Sequence, residues 1–287
     1  MTFISYAQNF EDVMLWRALR HIEKGFYIDV GANDPSIDSV TKAFYERGWS
    51  GINVEPLSVH IEDLQRERPR DINLRCAAGP SNGEIDIWES DVRRGWASVD
   101  KEAIEHHIAA GDTGKMFHQV PMVTLAQICE QNAPHEIHFL KIDVEGFERS
   151  VLEGMDFQRF RPWIIVVEAT RPNSTEEVHD RWEDLLLAAN YFFVYADGLN
   201  RFYLAREHEK LAVALKYPPN VFDDFVNAGL HEANTRMHAA EARTQQAEVA
   251  VQQAENALIA IHNSTSWRLT APLRWFSNMV RRLLHLR

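Results

Sequence analysis

Four apolar runs in this chain end on acids, and two of them add a glycine. They are Phe26-Tyr27-Ile28-Asp29-Val30-Gly31, Gly51-Ile52-Asn53-Val54-Glu55, His138-Phe139-Leu140-Lys141-Ile142-Asp143-Val144-Glu145-Gly146 and Trp163-Ile164-Ile165-Val166-Val167-Glu168. A glycine that closes such a run lets the backbone come close to a ligand. Glu55 stands 24 residues after Gly31 and can accept both hydroxyls of a ribose. Asp143 and Glu145, beside Gly146, can take a proton from a weak nucleophile. They could also ligate a divalent metal such as Mg²⁺ through oxygen, and the base reading is preferred. The run from Ile72 to Gly79 ends in the small residues Ala78 and Gly79. A flat adenine can lie against such a stretch, and plain core packing explains the same residues equally well.

The loop after the first run reads Gly31-Ala32-Asn33-Asp34-Pro35-Ser36. It lacks the three glycines of the dinucleotide fingerprint, and Asp34 would repel a pyrophosphate. S-adenosylmethionine has a ribose and an adenine, carries no phosphate, and presents a sulfonium cation. A turn carrying Asp29 and Asp34 suits that charge. The expected cofactor contacts are Asp29, Gly31, Asn33, Glu55, Ala78, Gly79 and Asp143; the expected catalytic pair is Asp143 and Glu145.

The elements that must hold these residues alternate. Residues 9–22 predict a helix with Phe10, Val13, Met14, Ala18 and Ile22 on one face and Asn9 as its cap. Helices over 40–47, 59–68, 123–132 and 176–189 separate strands at 26–30, 51–54, 72–79, 138–142 and 163–168. Glu84 to Trp88 alternates like an edge strand. Tyr191–Tyr195 and Arg201–Leu204, joined by Asp197-Gly198-Leu199-Asn200, predict an antiparallel pair. The pattern is α/β, a doubly wound sheet closed by an antiparallel hairpin. Residues 89–119 are less regular and hold Trp96, Ser98, His106, His107 and His118. A loop of this kind often covers a site; solvated histidines are preferred there over a general base.

Composition narrows the function. With 287 residues there is room for one catalytic domain and an extension. A net charge of −12 argues against nucleic acid as a partner. Cys76 and Cys129 lack metal or redox spacing and read as core residues in a reducing compartment. Met1 to Phe10 has no basic start and no apolar run, so no signal peptide is expected, and no stretch is apolar enough to span a membrane. The expected location is the cytoplasm.

Together these residues resemble the FkbM family of S-adenosylmethionine-dependent methyltransferases. The resemblance rests on Tyr27 to Pro35, on Gly48-Trp49-Ser50-Gly51-Ile52-Asn53-Val54-Glu55-Pro56, on Leu140 to Glu148 and on Val166-Val167-Glu168. It covers residues 5–205, with Asp34-Pro35 standing where the family's loop has its second glycine. Asp197 to Phe202 and Pro218 to Phe225 are similar to a subgroup found with bacterial surface-glycan enzymes. The resemblance implies a class I methyltransferase (Rossmann-like) fold with a seven-stranded sheet, and methyl transfer to an oxygen, often a sugar hydroxyl.

After Gly229 the composition changes. Leu230, Ala233, Met237, Ala240, Thr244, Ala247, Val251, Ala254, Leu258 and Ile261 recur at alternating steps of three and four, a heptad seam that predicts a coiled coil and a homo-oligomer through 230–261. From Ser264 onward there are five arginines and no acid, which leaves −17 on the rest of the chain (−12 minus +5). Trp267, Trp275 and Phe276 among those arginines predict a basic amphipathic tail over 264–287, for a membrane surface or for a partner enzyme such as a glycosyltransferase. The Ser-Trp-Arg-Leu-Thr-Ala-Pro-Leu-Arg run is similar to tails on bacterial glycosyltransferases. The expected organisation is a methyltransferase domain over 1–229, a coiled-coil helix over 230–263 and the tail. The expected function is O-methylation of a saccharide acceptor, part of a surface polysaccharide or lipid-linked glycan. The rival is a non-catalytic scaffold that keeps the cofactor fold and organises glycan-assembly enzymes; the acids at Asp29, Glu55, Asp143 and Glu168 argue against it.

Overall fold

A computed structural model describes residues 2–90, 97–99, 104–105, 108–109, 111, 116–171 and 174–284, without the side chains of 116–118 and 283–284. Trp96, His106 and His107 lie outside the described residues, as does the side chain of His118. The chain divides into two units, Met1–Ala228 and Gly229–Arg287.

The elements of the first unit are β1 (Phe3–Ser5), α1 (Glu11–Leu19), β2 (Phe26–Val30), α2 (Lys42–Glu46), β3 (Ser50–Val54), α3 (Ser58–Glu67) and β4 (Ile72–Leu74). Next come β5 (Ala77–Ala78), β6 (Gly83–Glu89), β7 (Ala97–Ser98), β8 (Met116–Val123), α4 (Leu125–Asn132), β9 (Phe139–Ile142), α5 (Glu148–Glu153) and β10 (Ile164–Glu168). The series closes with α6 (Glu183–Ala188), β11 (Tyr191–Ala196), β12 (Asn200–Ala205) and β13 (Phe225–Asn227).

Seven strands form the main sheet in the order β11-β12-β10-β9-β2-β3-β4. Strands β10, β9, β2, β3 and β4 are parallel, and β12 pairs antiparallel with both β10 and β11. Continuous apolar strands need cover on both faces, and helices supply it. Ile28, Val30, Ile52, Val54, Leu140 and Ile142 face one core, shared with Leu125 and Ile128 of α4, Val151 and Leu152 of α5, and Leu186 of α6. Tyr27, Phe139, Ile164 and Val166 face the other, shared with Met14, Leu15 and Ala18 of α1 and with Phe44 and Trp49.

One row across the second face is polar. Asp29 stands opposite Asn53 on one side and Lys141 on the other, and Asn53 stands opposite Asn73. The Asn53 amide donates to Asn73 Oδ1 at 2.8 Å and to Asp71 Oδ2 at 3.1 Å. Each member of the row lies two residues before a position at the strand's end: Asp29 before Gly31, Asn53 before Glu55, Lys141 before Asp143. The period of two puts each pair on one face.

Several elements differ from the sequence expectation. The helix expected from residue 9 begins at Glu11, because Phe10 is left-handed (φ 64°) and Asn9 does not cap it. The Asn9 amide donates instead to Asp197 O at 3.2 Å. The strand expected over 72–79 is two: β4 ends at Leu74, and β5 joins a separate four-stranded sheet ordered β5-β8-β6-β7. Within that sheet β6 lies between β8 and β7, so it is not an edge. The helix expected over 176–189 is confined to Glu183–Ala188 after a 3₁₀ turn at His179–Arg181, since Glu177 is engaged in a bridge with Thr170.

The second unit contains α7 (Ala228–Asn263), α8 (Thr265–Leu269) and α9 (Ala271–Leu284). Helix α7 starts on the last residue of the first unit, runs 36 residues, and buries none of them. Among the described residues, no helix is long and apolar enough to cross a membrane.

Candidate active site

Beyond the carboxyl ends of the parallel strands lies a cavity of about 520 Å³. Open α/β sheets bind ligands at that position. The residues after β2, β3, β9 and β10 form its floor, with Gly31, Asn33, Glu55, Asp143, Glu145 and Glu168 among its lining. The small sheet contributes Ala77, Ala78, Ile87 and Ala97–Val99 on another side, and Gln8 and Thr170 stand at further points of the wall.

Gly31 is required twice. Its φ is +76°, and a Cβ there would lie 1.8 Å from the carbonyl oxygen of Asp143. Its N–H donates to Val54 O at 3.0 Å, and Asp143 N–H donates to Val30 O at 3.0 Å. The loops after β2 and β9 therefore touch backbone to backbone, which only glycine permits.

Glu55 is buried, and each of its oxygens already accepts a backbone N–H: Oε2 from Asn33 at 3.0 Å and Oε1 from Leu57 at 2.9 Å. A carboxylate offers about four lone-pair sites, so acceptor capacity remains toward the cavity. Burial pushes its carboxyl up to about 7, against those two hydrogen bonds. The sequence expectation of a free acceptor is thus refined: Glu55 also fixes the loop at Asn33, itself left-handed at φ 49°.

Two expected contacts are not in the lining. Asp29 is 1% exposed and lies beneath the cavity floor. Its Oδ2 accepts from Thr41 Oγ1 at 2.8 Å, and its Oδ1 lies 3.5 Å from Lys141 Nζ. It is a strut because its strand position points into the sheet's packed face. Gly79 is spent on packing: a Cβ there would meet Met122 Sδ at 2.4 Å. Its neighbour Ala78 does line the cavity.

Lys141 was not among the expected site residues, and it joins more of them than any other side chain. Its ammonium donates to Gly31 O at 3.0 Å and lies 3.4 Å from Asp143 Oδ2. Burial opposes its charge, and the Asp143 and Asp29 carboxylates more than offset that, raising the ammonium above its ordinary range. On the far side of Asp29, the buried Arg68 guanidinium donates to Thr41 Oγ1 at 2.6 Å, to Ser39 Oγ at 2.5 Å and to Pro35 O. One buried polar chain, Arg68 to Thr41 to Asp29 to Lys141 to Asp143, positions the loop over 31–41 and the catalytic candidates together.

The acids cluster on the β9–β10 side. Ile142 and Val167 are in register, so Asp143 and Glu168 leave the sheet side by side. The charge of Asp143 therefore bears on Glu168 at short range. Glu168 is pushed well above the carboxylate range by burial, then by Asp143. Glu145 occupies a left-handed turn (φ 52°), and its carbonyl accepts from Ser98 Oγ at 2.8 Å. Burial, then the charge of Asp143, pushes its carboxyl up to about 8. Glu148 closes the turn by accepting from Val144 N at 3.3 Å and Gly146 N at 3.0 Å. Among the described residues no group of side chains is arranged as a metal site.

The residues present fit a nucleoside with a cationic centre. Gly31 brings bare backbone to the wall, Glu55 gives acceptor atoms, and Ala77 and Ala78 give a flat side. Among the described lining residues the charges are net negative around one cation, Lys141, and those after β2 present no phosphate-binding set.

A model described as the methyltransferase FkbM domain matches residues 29–193, more than half of the chain. No curated protein matches the chain. Among solved structures, a TehB-like SAM-dependent methyltransferase from Corynebacterium glutamicum is similar at 7% identity, with 68% of this chain and 85% of that one covered and a TM-score of 0.37. A 1,6-didemethyltoxoflavin-N1-methyltransferase from Burkholderia thailandensis, with bound S-adenosylhomocysteine, shares 12% identity over 68% and 77%, at a TM-score of 0.33. An O-methyltransferase from Bacillus cereus, in complex with the same compound, shares 10% over 70% and 80%, at 0.32. Likenesses this loose carry no function across.

Lys141→Met should leave Asp29 buried beside an apolar chain with its negative charge uncompensated. Breaking a buried pair from one side costs roughly 3–5 kcal/mol. Urea unfolding should show that loss; a variant as stable as the parent would remove Lys141 from its central position.

Proposed function

We propose that this chain, which belongs to the FkbM methyltransferase domain family, transfers a methyl group to a hydroxyl of a saccharide, part of a bacterial surface polysaccharide or lipid-linked glycan. S-adenosylmethionine is the methyl donor; when bound it supplies an electrophilic methyl on a cationic sulfur. The observation that carries the reading is the pairing, in one cavity, of a glycine-walled, Glu55-edged side with an acid-lined side. Gly31, Asn33, Glu55 and Ala78 would hold the nucleoside, and Asp143, Glu145 and Glu168 face the rest of the space. An oxygen acceptor is favoured because the acid-lined side can receive the proton that a hydroxyl must lose.

The chain's own contribution is position and proton transfer. With the donor bound beside it, Asp143 would take the proton that the hydroxyl loses on accepting the methyl group. Asp143 is held by Lys141, and its partly exposed side chain returns the proton to water. Charge balances: one cationic donor and one anionic carboxylate become a neutral thioether and a neutral acid. Asp143 is therefore the base and Glu145 its neighbour, which shapes the acceptor end and holds its own proton into the neutral range.

Helix α7 supports a further part of the proposal, pairing with a second copy. Its seam from Leu230 to Ile261 is exposed along its length, and many seam positions are alanine, which allows close approach. Leu258→Glu with Ile261→Glu should lower the sedimentation mass of the full chain by the oligomer ratio. A parent already monomeric at micromolar concentration contradicts the pairing.

Two substitutions test the site. Glu55→Ala should weaken S-adenosylmethionine binding by roughly 1.5–3 kcal/mol, the usual loss for charged hydrogen bonds. Calorimetry that finds unchanged affinity in a folded variant removes Glu55 from the cofactor's edge. Asp143→Asn keeps the shape and removes the base. Turnover on a sugar acceptor should fall by about 10²-fold while cofactor affinity changes little. Full turnover would pass the role to Glu145 or Glu168.

A further inference from the structure

None of the described residues 264–284 lines the cavity, yet they hold the most sharply divided helix among the described residues. Ser264 caps α8 through its Oγ, which accepts from Trp267 N at 3.2 Å. The chain turns at Thr270, and Pro272 sits in the first turn of α9, where its missing N–H costs nothing. At 100° per residue, Trp275, Met279, Phe276, Val280 and Leu273 follow one another around half of α9. Arg281, Arg274, Asn278 and Arg282 fill the other half. The apolar half is uncovered: Leu273 is 71% exposed, Trp275 69% and Phe276 61%. Arg274 stacks on Trp267 at 3.7 Å and donates to Thr270 Oγ1 at 2.6 Å, so α8 and α9 are tied into one piece.

We propose that α9 lies in the surface of an anionic lipid bilayer, its apolar half inserted and its arginines against the headgroups. Three observations choose this occupant. The helix has 14 residues and is about 21 Å long, too short for the roughly 30 Å of a bilayer core, so it lies on the surface. Its apolar half is wider than the narrow a/d seam by which two helices pair, and it suits a broad apolar phase. Its charge is all of one sign: five arginines and no acid from Ser264 onward, beside −17 elsewhere in the chain, so the partner must be anionic. The heptad seam of α7 stops at Ile261, and the helix itself ends at Asn263, so α9 does not continue the pairing surface.

The test uses the full chain and sedimentation with two kinds of vesicle, one of phosphatidylcholine and one of phosphatidylcholine mixed with phosphatidylglycerol. At low salt, binding to the anionic vesicles should exceed binding to the neutral ones by about tenfold or more, and high salt should remove the excess. Arg281→Ala and Arg282→Ala should each lower anionic binding on the order of fivefold. Phe276→Glu with Val280→Glu should abolish it while S-adenosylmethionine binding stays at the parental level. The cofactor arm keeps this test separate from the methyltransferase reading, since a chain that binds vesicles and no cofactor would sink only the latter. The proposal is overturned if the parent ignores both vesicles at low salt, which would assign α9 to a protein partner. It is also overturned if the double glutamate variant binds as the parent does. A fall in sedimentation mass in that variant, without vesicle binding by the parent, would make the face an interface between copies and equally end the proposal.

Discussion

A single buried ammonium holds this site together. Lys141 rises from the middle of a parallel sheet, where an unpaired charge would be costly. It is tolerated because Asp29 stands directly opposite on the next strand, Asp143 follows two residues later, and the Gly31 carbonyl accepts its third contact. The same contacts set the distance between the loops after β2 and β9. With those loops locked, Gly31 can press against the Asp143 backbone. The Arg68–Thr41–Asp29 arm carries the constraint outward to the loop over 31–41.

The cavity that results is lined by several acids. Burial keeps Glu55, Glu145 and Glu168 protonated to higher pH than in water. A carboxyl raised in the folded state favours folding below its unfolded value, and that advantage is lost as pH rises through the folded one. The contribution of Glu55 and Glu145 to stability is therefore lost between about pH 4.5 and 8. A cation entering the cavity offsets that loss by favouring the ionised carboxylates. Binding of a cation there is thereby linked to pH.

Much of this was legible in the residues. The runs ending at Gly31, Glu55, Asp143 and Glu168 announce parallel strands, because apolar runs that short and that continuous are buried on both faces. Gly31, Asn33, Glu55, Ala78, Asp143 and Glu145 all come to the cavity. Lys141 was hidden, since a lone lysine in Phe139-Leu140-Lys141-Ile142 reads as a residue turned outward. A signal did exist: Asp29, Asn53 and Lys141 each precede a strand-end site by two residues, so three polar side chains must meet on one face and pair. Asp29 and Gly79 were misplaced for a related reason. Proximity in sequence to a site says nothing of which face a residue takes, and both face packed neighbours. The break between β4 and β5 was also unreadable, because Ile72 to Gly79 has no proline or glycine before its end, and only pairing with β8 draws Ala77 away from the main sheet.

The central claim is that the cavity between Gly31, Glu55 and Asp143 is where the donor's nucleoside sits. Crystals of the full chain soaked with S-adenosylhomocysteine test it most directly. Density is expected for the ribose hydroxyls on the Glu55 carboxylate, the chain of the ligand passing the Gly31 backbone, and the sulfur turned toward Asp143. Nucleoside density elsewhere on the molecule, or a ribose out of reach of Glu55, would contradict it.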